Sequence, residues 1–401
     1  MRSKALVRSK ALGLLAALLL MAAGPYDYTR GMLTKQPNQV TSIDFTLANS
    51  PLVVNARTSP ECDFAPGGLI SCRGASSVAG PAINPTTGAL LGAGNWGQSQ
   101  NLFPYSNAFS SWAQNLNISV ADGTAPGPTG LLGASVVTPT TTSGLHQVAS
   151  TVGITGANPY SVWLFVRQNG YSRVYFGFSN GAGTVGVGQT FDVSAGTVVG
   201  SPVVTGSPTS YSVIGPTAVG IGYYKIGLTV ALGGSYGSGE TTASVDNGTG
   251  ISFAGDGTSG LIFGGAQIEQ SVVATPYIPT SGVAVTRAAD ALQLSSAAFG
   301  QAVNPLQGAF FADVFIPALY PSASGVNHTI AVLSDGTANN RYTFQVNQGT
   351  TTYQAQVNAG GGATNVQLAG FAAGTLHRIG GIWNGALVGG CIDGGTPSTS
   401  T

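Results

Sequence analysis

Along much of the chain, apolar and polar residues alternate with a period of two over short runs, the spacing of β-strands rather than of helices. In Tyr224 to Val230 the apolar side chains fall on one face, and Lys225, Gly227 and Thr229 fall on the other, which predicts a half-buried strand. Tyr342, Phe344 and Val346 repeat the pattern, as do Tyr353, Ala355 and Val357, and Val174, Phe176 and Phe178. Tyr160 to Arg167 is apolar at nearly every position, which predicts a central strand covered on both faces. The runs are separated by Gln168-Asn169-Gly170, Ser179-Asn180-Gly181, Asp246-Asn247-Gly248, Gly255-Asp256-Gly257 and Ser334-Asp335-Gly336. Asn-Gly and Asp-Gly suit the positive φ of tight hairpins, so the sheets are expected to be antiparallel. Residues 181–219, rich in Gly, Ser, Thr and Val, read either as long loops or as flat, weakly specified strands.

Composition sharpens this picture. The 401 residues include 60 Gly and 21 Pro, and only 7% are charged, against 43% hydrophobic. Helices need many more Glu, Lys, Arg and Leu to solvate their outer faces, so the chain reads as all-β. The expected architecture is two β-sandwich (jelly-roll) modules preceded by a short N-terminal hydrophobic helix. Fourteen basic residues balance fourteen acidic ones. Binding to a nucleic-acid backbone rests on Lys and Arg neutralising phosphates, so nucleic acid is not an expected partner.

The first residues bear on location. Arg2, Lys4, Arg8 and Lys10 precede an uncharged run rich in Leu and Ala that ends in Met21-Ala22-Ala23-Gly24. Residues 1–24 have the shape of a secretory signal, although Pro25 fits the cleavage rule poorly; the alternative is a short amphipathic or buried helix. Cys62 and Cys72 flank a Pro66-Gly67-Gly68 turn. That turn folds the arms into a hairpin with the sulfurs opposite each other, the arrangement for a disulfide. Cys391 reads as an apolar filler in a late strand. Gly-rich residues 92–100 and the Pro-containing stretch 276–290 mark boundaries near 100 and 288.

A set of segments in order along the chain carries a resemblance. They are Ile43-Asp44-Phe45, the Cys62 to Cys72 hairpin, PTTGALL at 85–91, NLFPYSNAFSSWAQ at 101–114, GDGTSGLIFGGAQIEQ at 255–270, TPYIPTSGVAVTRAAD at 275–290, LSDGTANNRYTF at 333–344 and IDGG at 392–395. In these the chain resembles a family of bacteriophage and prophage virion proteins, often tail-associated, built from lectin-like β-sandwich modules. The resemblance implies a carbohydrate-binding-type jelly roll at 101–285 and a concanavalin-like (lectin or LamG-like) sandwich at 286–401. Residues 25–100 supply N-terminal strands. About 110 residues are few for the second sandwich, so either the chain is a fragment or residues 43–100 complete that sheet. Where the family carries an acidic, Arg-containing stretch before the Asn-Leu, this chain has LLGAGNWGQSQ at 90–100, and no charged pair is carried over.

Function then follows as expectation. The resemblance implies a non-enzymatic, tail-associated virion structural protein that contacts cell-surface glycans and other virion subunits, located in the virion or outside the cell; a homo-oligomer is left open. The alternatives are an exported bacterial lectin-like glycan-binding protein and a polysaccharide depolymerase. Sandwich modules bind sugars on aromatic platforms surrounded by amides and carboxylates. Trp112, Tyr171 and Tyr175 are the expected platform, with Tyr223 and Trp96 behind them, while Trp163 sits in a run that reads as buried. Glycoside hydrolysis needs two carboxylates across a cleft; of the three glutamates, Glu269 lies in a strand with period-two neighbours and is the candidate to face a groove. His146, His328 and His377 lack the Gly-x-Ser-x-Gly elbow of a hydrolase, and the Gly-rich run 181–186 lacks the Lys of a phosphate loop. Neither a cofactor nor a bound metal is expected, since the acidic clustering that hard cations require is missing.

Overall fold

The computed structural model describes residues 53–55, 59–64, 69–73, 81–83, 90–93, 97–155, 158–289, 292–294, 304, 306–316, 318–319, 327–335 and 337–401. The expected helix at residues 1–24 lies outside them, as does Trp96. Two compact units emerge: one spans Ile43–Leu294, and the other holds Ser295–Thr401. Among the described residues helix is confined to the 3-10 turns Phe109–Ser111 and Gly220–Gly222, and no helix is long and apolar enough to cross a membrane. The all-β reading holds.

The larger unit is a sandwich of twelve strands: β1 (Gln114–Leu116), β2 (Ile118–Pro126), β3 (Leu132–Pro139), β4 (Gln147–Gly153), β5 (Tyr160–Asn169), β6 (Arg173–Asn180), β7 (Gly186–Asp192), β8 (Thr197–Thr205), β9 (Ser210–Val219), β10 (Tyr223–Ala231), β11 (Ser238–Asp246) and β12 (Gly260–Glu269). The first sheet runs β8-β7-β6-β11-β4-β1, and the second β9-β10-β5-β12-β3-β2. Eight of these strands, β4-β11-β6-β7 against β3-β12-β5-β10, follow the strand order of a jelly roll. Residues 181–219 resolve as strands: β7 belongs to the jelly roll, and β8 and β9 widen the two sheets at the same edge. The Asn and Gly turns act as expected, since Asn180 accepts the N–H groups of Thr184 and Val185 at 2.8 and 3.1 Å and holds the β6–β7 hairpin.

Between the sheets lies one continuous core. Val162, Leu164 and Val166 of β5, Val174, Phe176 and Phe178 of β6, and Ile226, Leu228 and Val230 of β10 are all buried in it. The two sheets differ on their outer faces. The outer face of the second sheet carries a further cluster of Trp163, Phe165, Tyr223 and Ile262, closed over by Cys62, Ile70 and Tyr277. Hence Tyr160 through Val166 is buried at every position, as its unbroken apolar run predicts. The cover is tied down by hydrogen bonds from Cys62 N–H to Tyr277 O (3.2 Å) and from Ile70 N–H to Pro128 O (3.0 Å). Cys62 and Cys72 sit opposite each other in a two-stranded ribbon and form a disulfide. Within residues 25–100, Ser99–Asn101 also joins this unit by pairing with Val285–Arg287.

This cover narrows the open face expected for Tyr224–Val230: Gly227 is buried, and Lys225 and Thr229 are half-buried. Lys225 is half-buried, and its ammonium lies 4.1 Å from the Trp163 ring centroid. Burial pulls the Lys225 pKa down to about 8, against the attraction of Glu269 and Asp63. The folded chain therefore binds fewer protons here than the unfolded one between about pH 8 and the ordinary lysine value. Stability should rise with pH across that window, because the cost of the buried charge is relieved as it deprotonates. We expect the melting temperature to climb by a few degrees from pH 7.5 to 9.5. A flat or falling profile by differential scanning calorimetry would show that the ammonium is solvated.

The second unit is a smaller sandwich. Its strands are β13 (Gln307–Phe315), β14 (His328–Ser334), β15 (Arg341–Val346), β16 (Thr352–Ala359), β17 (Gly362–Ala369), β18 (Leu376–Asn384), β19 (Leu387–Ile392) and β20 (Ser398–Ser400). A β14-β15-β16-β17 meander faces a β13-β18-β19-β20 sheet. Phe344, Tyr353 and Val357 of the meander pack against Phe310, Ile379 and Val388, with the Phe310 and Phe344 rings edge to face at 4.6 Å. Cys391 is buried in β19, the apolar setting its sequence context suggests.

Candidate functional site

Period-two alternation turns Arg173, Tyr175, Gly177 and Ser179 of β6 outward from the first sheet, opposite the buried Val174, Phe176 and Phe178. Register places Tyr175 between Ser244 of β11 and Thr190 of β7, and Arg173 between Asp246 and Asp192. The result is a polar, small-residue face.

Tyr175 lies flat on this face because the neighbouring positions have no side chain. A Cβ on Gly188 would stand 1.9 Å from the Tyr175 hydroxyl and 2.2 Å from Cζ. A Cβ on Gly177 would touch the same ring at 3.4 Å. Glycine is thus the floor on which the ring rests, and a shallow depression of about 140 Å³ lined by Tyr175, Gly177, Gly186, Gly188, Val203 and Thr242 opens there. Partial burial raises the Tyr175 pKa, so its hydroxyl remains a hydrogen-bond donor at neutral pH.

Two residues along β6, a second depression of about 270 Å³ is lined by Tyr171, Arg173, Asp192, Asp246, Asn247 and Gly248. Arg173 is fixed there by Nε donating to Asp192 Oδ2 at 3.3 Å and Nη1 donating to Gly248 O at 3.1 Å. Burial works against the Asp192 carboxylate, but the hydroxyl and N–H of Ser194, the N–H of Ala195 and the Arg173 guanidinium outweigh it and hold the group at about 2. Asp246 Oδ1 accepts the Gly248 N–H at 2.7 Å and shapes the turn. Tyr171 packs edge to face on Phe253 at 5.4 Å; burial, then the negative charge of Asp256, raises its pKa.

Two of the three expected platform residues, Tyr171 and Tyr175, therefore stand at these neighbouring depressions. Trp112 does not, and its role is corrected: it is 5% exposed, its ring lies 4.9 Å from Phe103 and 4.8 Å from Phe109, and Nε1 donates to Tyr105 O at 2.9 Å. Core rings cover it, which leaves no face for a sugar. Tyr223 is buried too, with its hydroxyl donating to Pro126 O at 2.7 Å. Arg173, Asp246 and the floor glycines were missed. For Arg173 a local signal was present, since it shares a strand face with Tyr175; for Asp246 there was none, because register between distant strands sets it opposite Arg173.

The candidate hydrolytic groups are engaged in structure. Glu269 is buried and accepts hydrogen bonds from Ser99, from Gln267 Nε2 at 3.0 Å and from the Thr275 N–H and hydroxyl at 2.7 and 2.6 Å. His146 bonds the carbonyls of Asn117 and Phe253 at 2.6 and 2.8 Å. His377 bonds Asp393 at 2.7 Å and the Ala372 main chain. Among the described residues no three His, Cys, Asp or Glu side chains converge as a metal site would require.

No protein-family model matches the chain, and no curated protein matches it. Among solved structures the chain is similar to domains LG4-5 of the mouse laminin alpha1 chain, at 10% identity over 74% of this chain and 81% of that one, with a TM-score of 0.16. A TM-score that low falls short of a shared fold. The class of protein is accordingly defined by its own strand order: a jelly-roll β-sandwich with one outer face covered and the other presenting a tyrosine on a glycine floor.

Proposed function

We propose that the chain is a non-enzymatic glycan-binding structural protein of the phage tail-associated type, displayed on a virion and contacting cell-surface sugars through the outer face of its first sheet. The observation that carries glycan binding is the Tyr175 ring laid over Gly188 beside a polar depression, an aromatic platform with hydrogen-bonding groups at its rim. Virion display rests on the resemblance in residues 43–290 and 333–395. A general acid for glycoside cleavage needs a raised pKa, and Asp192 on this face is instead held at about 2, so that carboxylate is not such an acid. The Cys62–Cys72 disulfide supports a second reading, an exported lectin-like protein, because disulfides persist in oxidising compartments.

The test is retention of the full chain in affinity gels containing mannan, galactan, dextran or hyaluronan. One stacking ring contributes about 0.5–1.5 kcal/mol beyond buried area, so Tyr175→Ala should weaken retention by about two- to tenfold with its melting temperature unchanged. Retention by a neutral polysaccharide should change little between 50 and 500 mM NaCl, since no ion pair drives it. Equal retention of the two proteins would remove Tyr175 from the site, and release of reducing ends would overturn the non-enzymatic reading. An intact Met1 or Arg2 in the mature chain separates the virion protein from the exported lectin.

A further inference from the structure

The depression beside Arg173 holds two unmet hydrogen-bonding groups of opposite kind. Asp246 is 9% exposed, and its Oδ1 is used by Gly248. Its Oδ2 has no hydrogen-bond partner among the described residues, although the side chain lines the depression. Arg173 spends Nε on Asp192 and Nη1 on Gly248 O, and its Nη2 is likewise unpartnered among the described residues. A carboxylate only accepts and a guanidinium only donates. Side by side on neighbouring strands, they present one acceptor and one donor to whatever enters.

Resting on the glycan-binding reading above, we infer that this depression is a second subsite that takes a vicinal diol of a neutral sugar, one hydroxyl donating to Asp246 Oδ2 and its neighbour accepting from Arg173 Nη2. Hydroxyls both donate and accept, so an uncharged diol complements the pair, whereas a sugar acid would set its carboxylate against Asp246 and Asp192 and an ammonium would meet Arg173. Position agrees. Arg173 and Tyr175 share one strand face, and the Tyr175 ring leans over Gly188, the register partner of Gly177, on the side away from Arg173; four residues of strand span about 13 Å, so a glycan chain stacked on Tyr175 reaches the depression with a unit two or three sugars further along. Arg173 is pre-set by its two bonds, which limits the ordering cost on binding.

Asp246→Asn tests this cleanly, since the amide keeps an oxygen for the Gly248 N–H and replaces Oδ2 with a donor. Retention of the full-length Asp246→Asn protein by whichever neutral polysaccharide of mannan, galactan and dextran holds the wild type should fall at least tenfold, with an unchanged melting temperature. The wild type should also lose retention on the O-methylated form of that polysaccharide, which keeps its rings but has no hydroxyl to donate, and Asp246→Asn should lose proportionately less. This second comparison still decides if the variant is less stable, because the wild-type protein alone must distinguish the two polysaccharides. If Tyr175→Ala weakens retention but Asp246→Asn and O-methylation do not, the diol subsite is overturned and the Tyr175 reading stands. If hyaluronan is held as tightly as the neutral polymers, the neutral-sugar assignment is overturned. No retention of the wild type by any of the four removes the glycan reading and the subsite with it.

Discussion

Trp163→Ala is expected to destabilise the larger unit by about 3–5 kcal/mol, the range for deleting a buried tryptophan. The indole is fully buried on the outer face of the second sheet, between Phe165 at 4.9 Å and Tyr277 at 5.6 Å, both edge to face. It also supplies the π-face beneath Lys225. Its removal opens a void under the ribbon of Glu61–Phe64 and Ile70–Arg73 and withdraws the aromatic face beneath the Lys225 ammonium. For a domain of this size, each kcal/mol moves the midpoint by roughly 2–4 °C, so a drop of roughly 6–20 °C should be seen by calorimetry. Trp163→Phe should be much milder, because the indole Nε1 is buried without a partner and phenylalanine removes that unsatisfied donor along with some volume. An alanine variant within about 2 °C of wild type would mean that the cover is loosely packed.

Gly188→Val is expected to leave the fold intact and to lower retention on a neutral polysaccharide by about two- to tenfold, as much as deleting the ring itself. The new side chain would occupy the floor on which the Tyr175 hydroxyl and ring now rest. What gives way is the far end of a side chain rather than backbone, so the ring swings off the sheet and β7 survives. Valine is also a better strand former than glycine, so the melting temperature should hold within a few degrees. The variant thereby separates orientation of the ring from its presence: Tyr175 remains in the chain, but its face is no longer laid open. Unchanged retention would show that sugar is not read on this ring.

Much of this architecture was legible in the residues. The alternation of Val174, Phe176 and Phe178 with polar neighbours fixed which face of β6 is buried, and that same alternation placed Tyr175 outside. The unbroken apolar run from Tyr160 announced a strand with no solvent face. Pattern failed where a second layer arrives from far along the chain. Lys225 looks like a wet position until the ribbon of Glu61–Phe64 and Ile70–Arg73 and the Tyr277 ring close over Trp163 and Phe165 beside it. Trp112 failed for a related reason: a loop tryptophan carries no periodicity to say which way it turns, and the contacts that bury it come from Phe103 and Phe109. The Arg173–Asp246 pair is formed by strands more than seventy residues apart, and no local spacing encodes such a meeting.

The unequal covering of the two sheets has a consequence for how such a protein diversifies. A change on the covered side, at Trp163, Phe165 or Tyr277, is a core mutation, and chains carrying it are purged for instability whatever they bind. On the open side, Thr242 and Thr190 flank the ring and are only half-buried, and substitutions at surface positions usually shift stability by no more than about 0.5 kcal/mol. Recognition and folding thus draw on separate sets of residues. A population of such chains can vary the chemistry of one surface by drift while the other holds the scaffold constant.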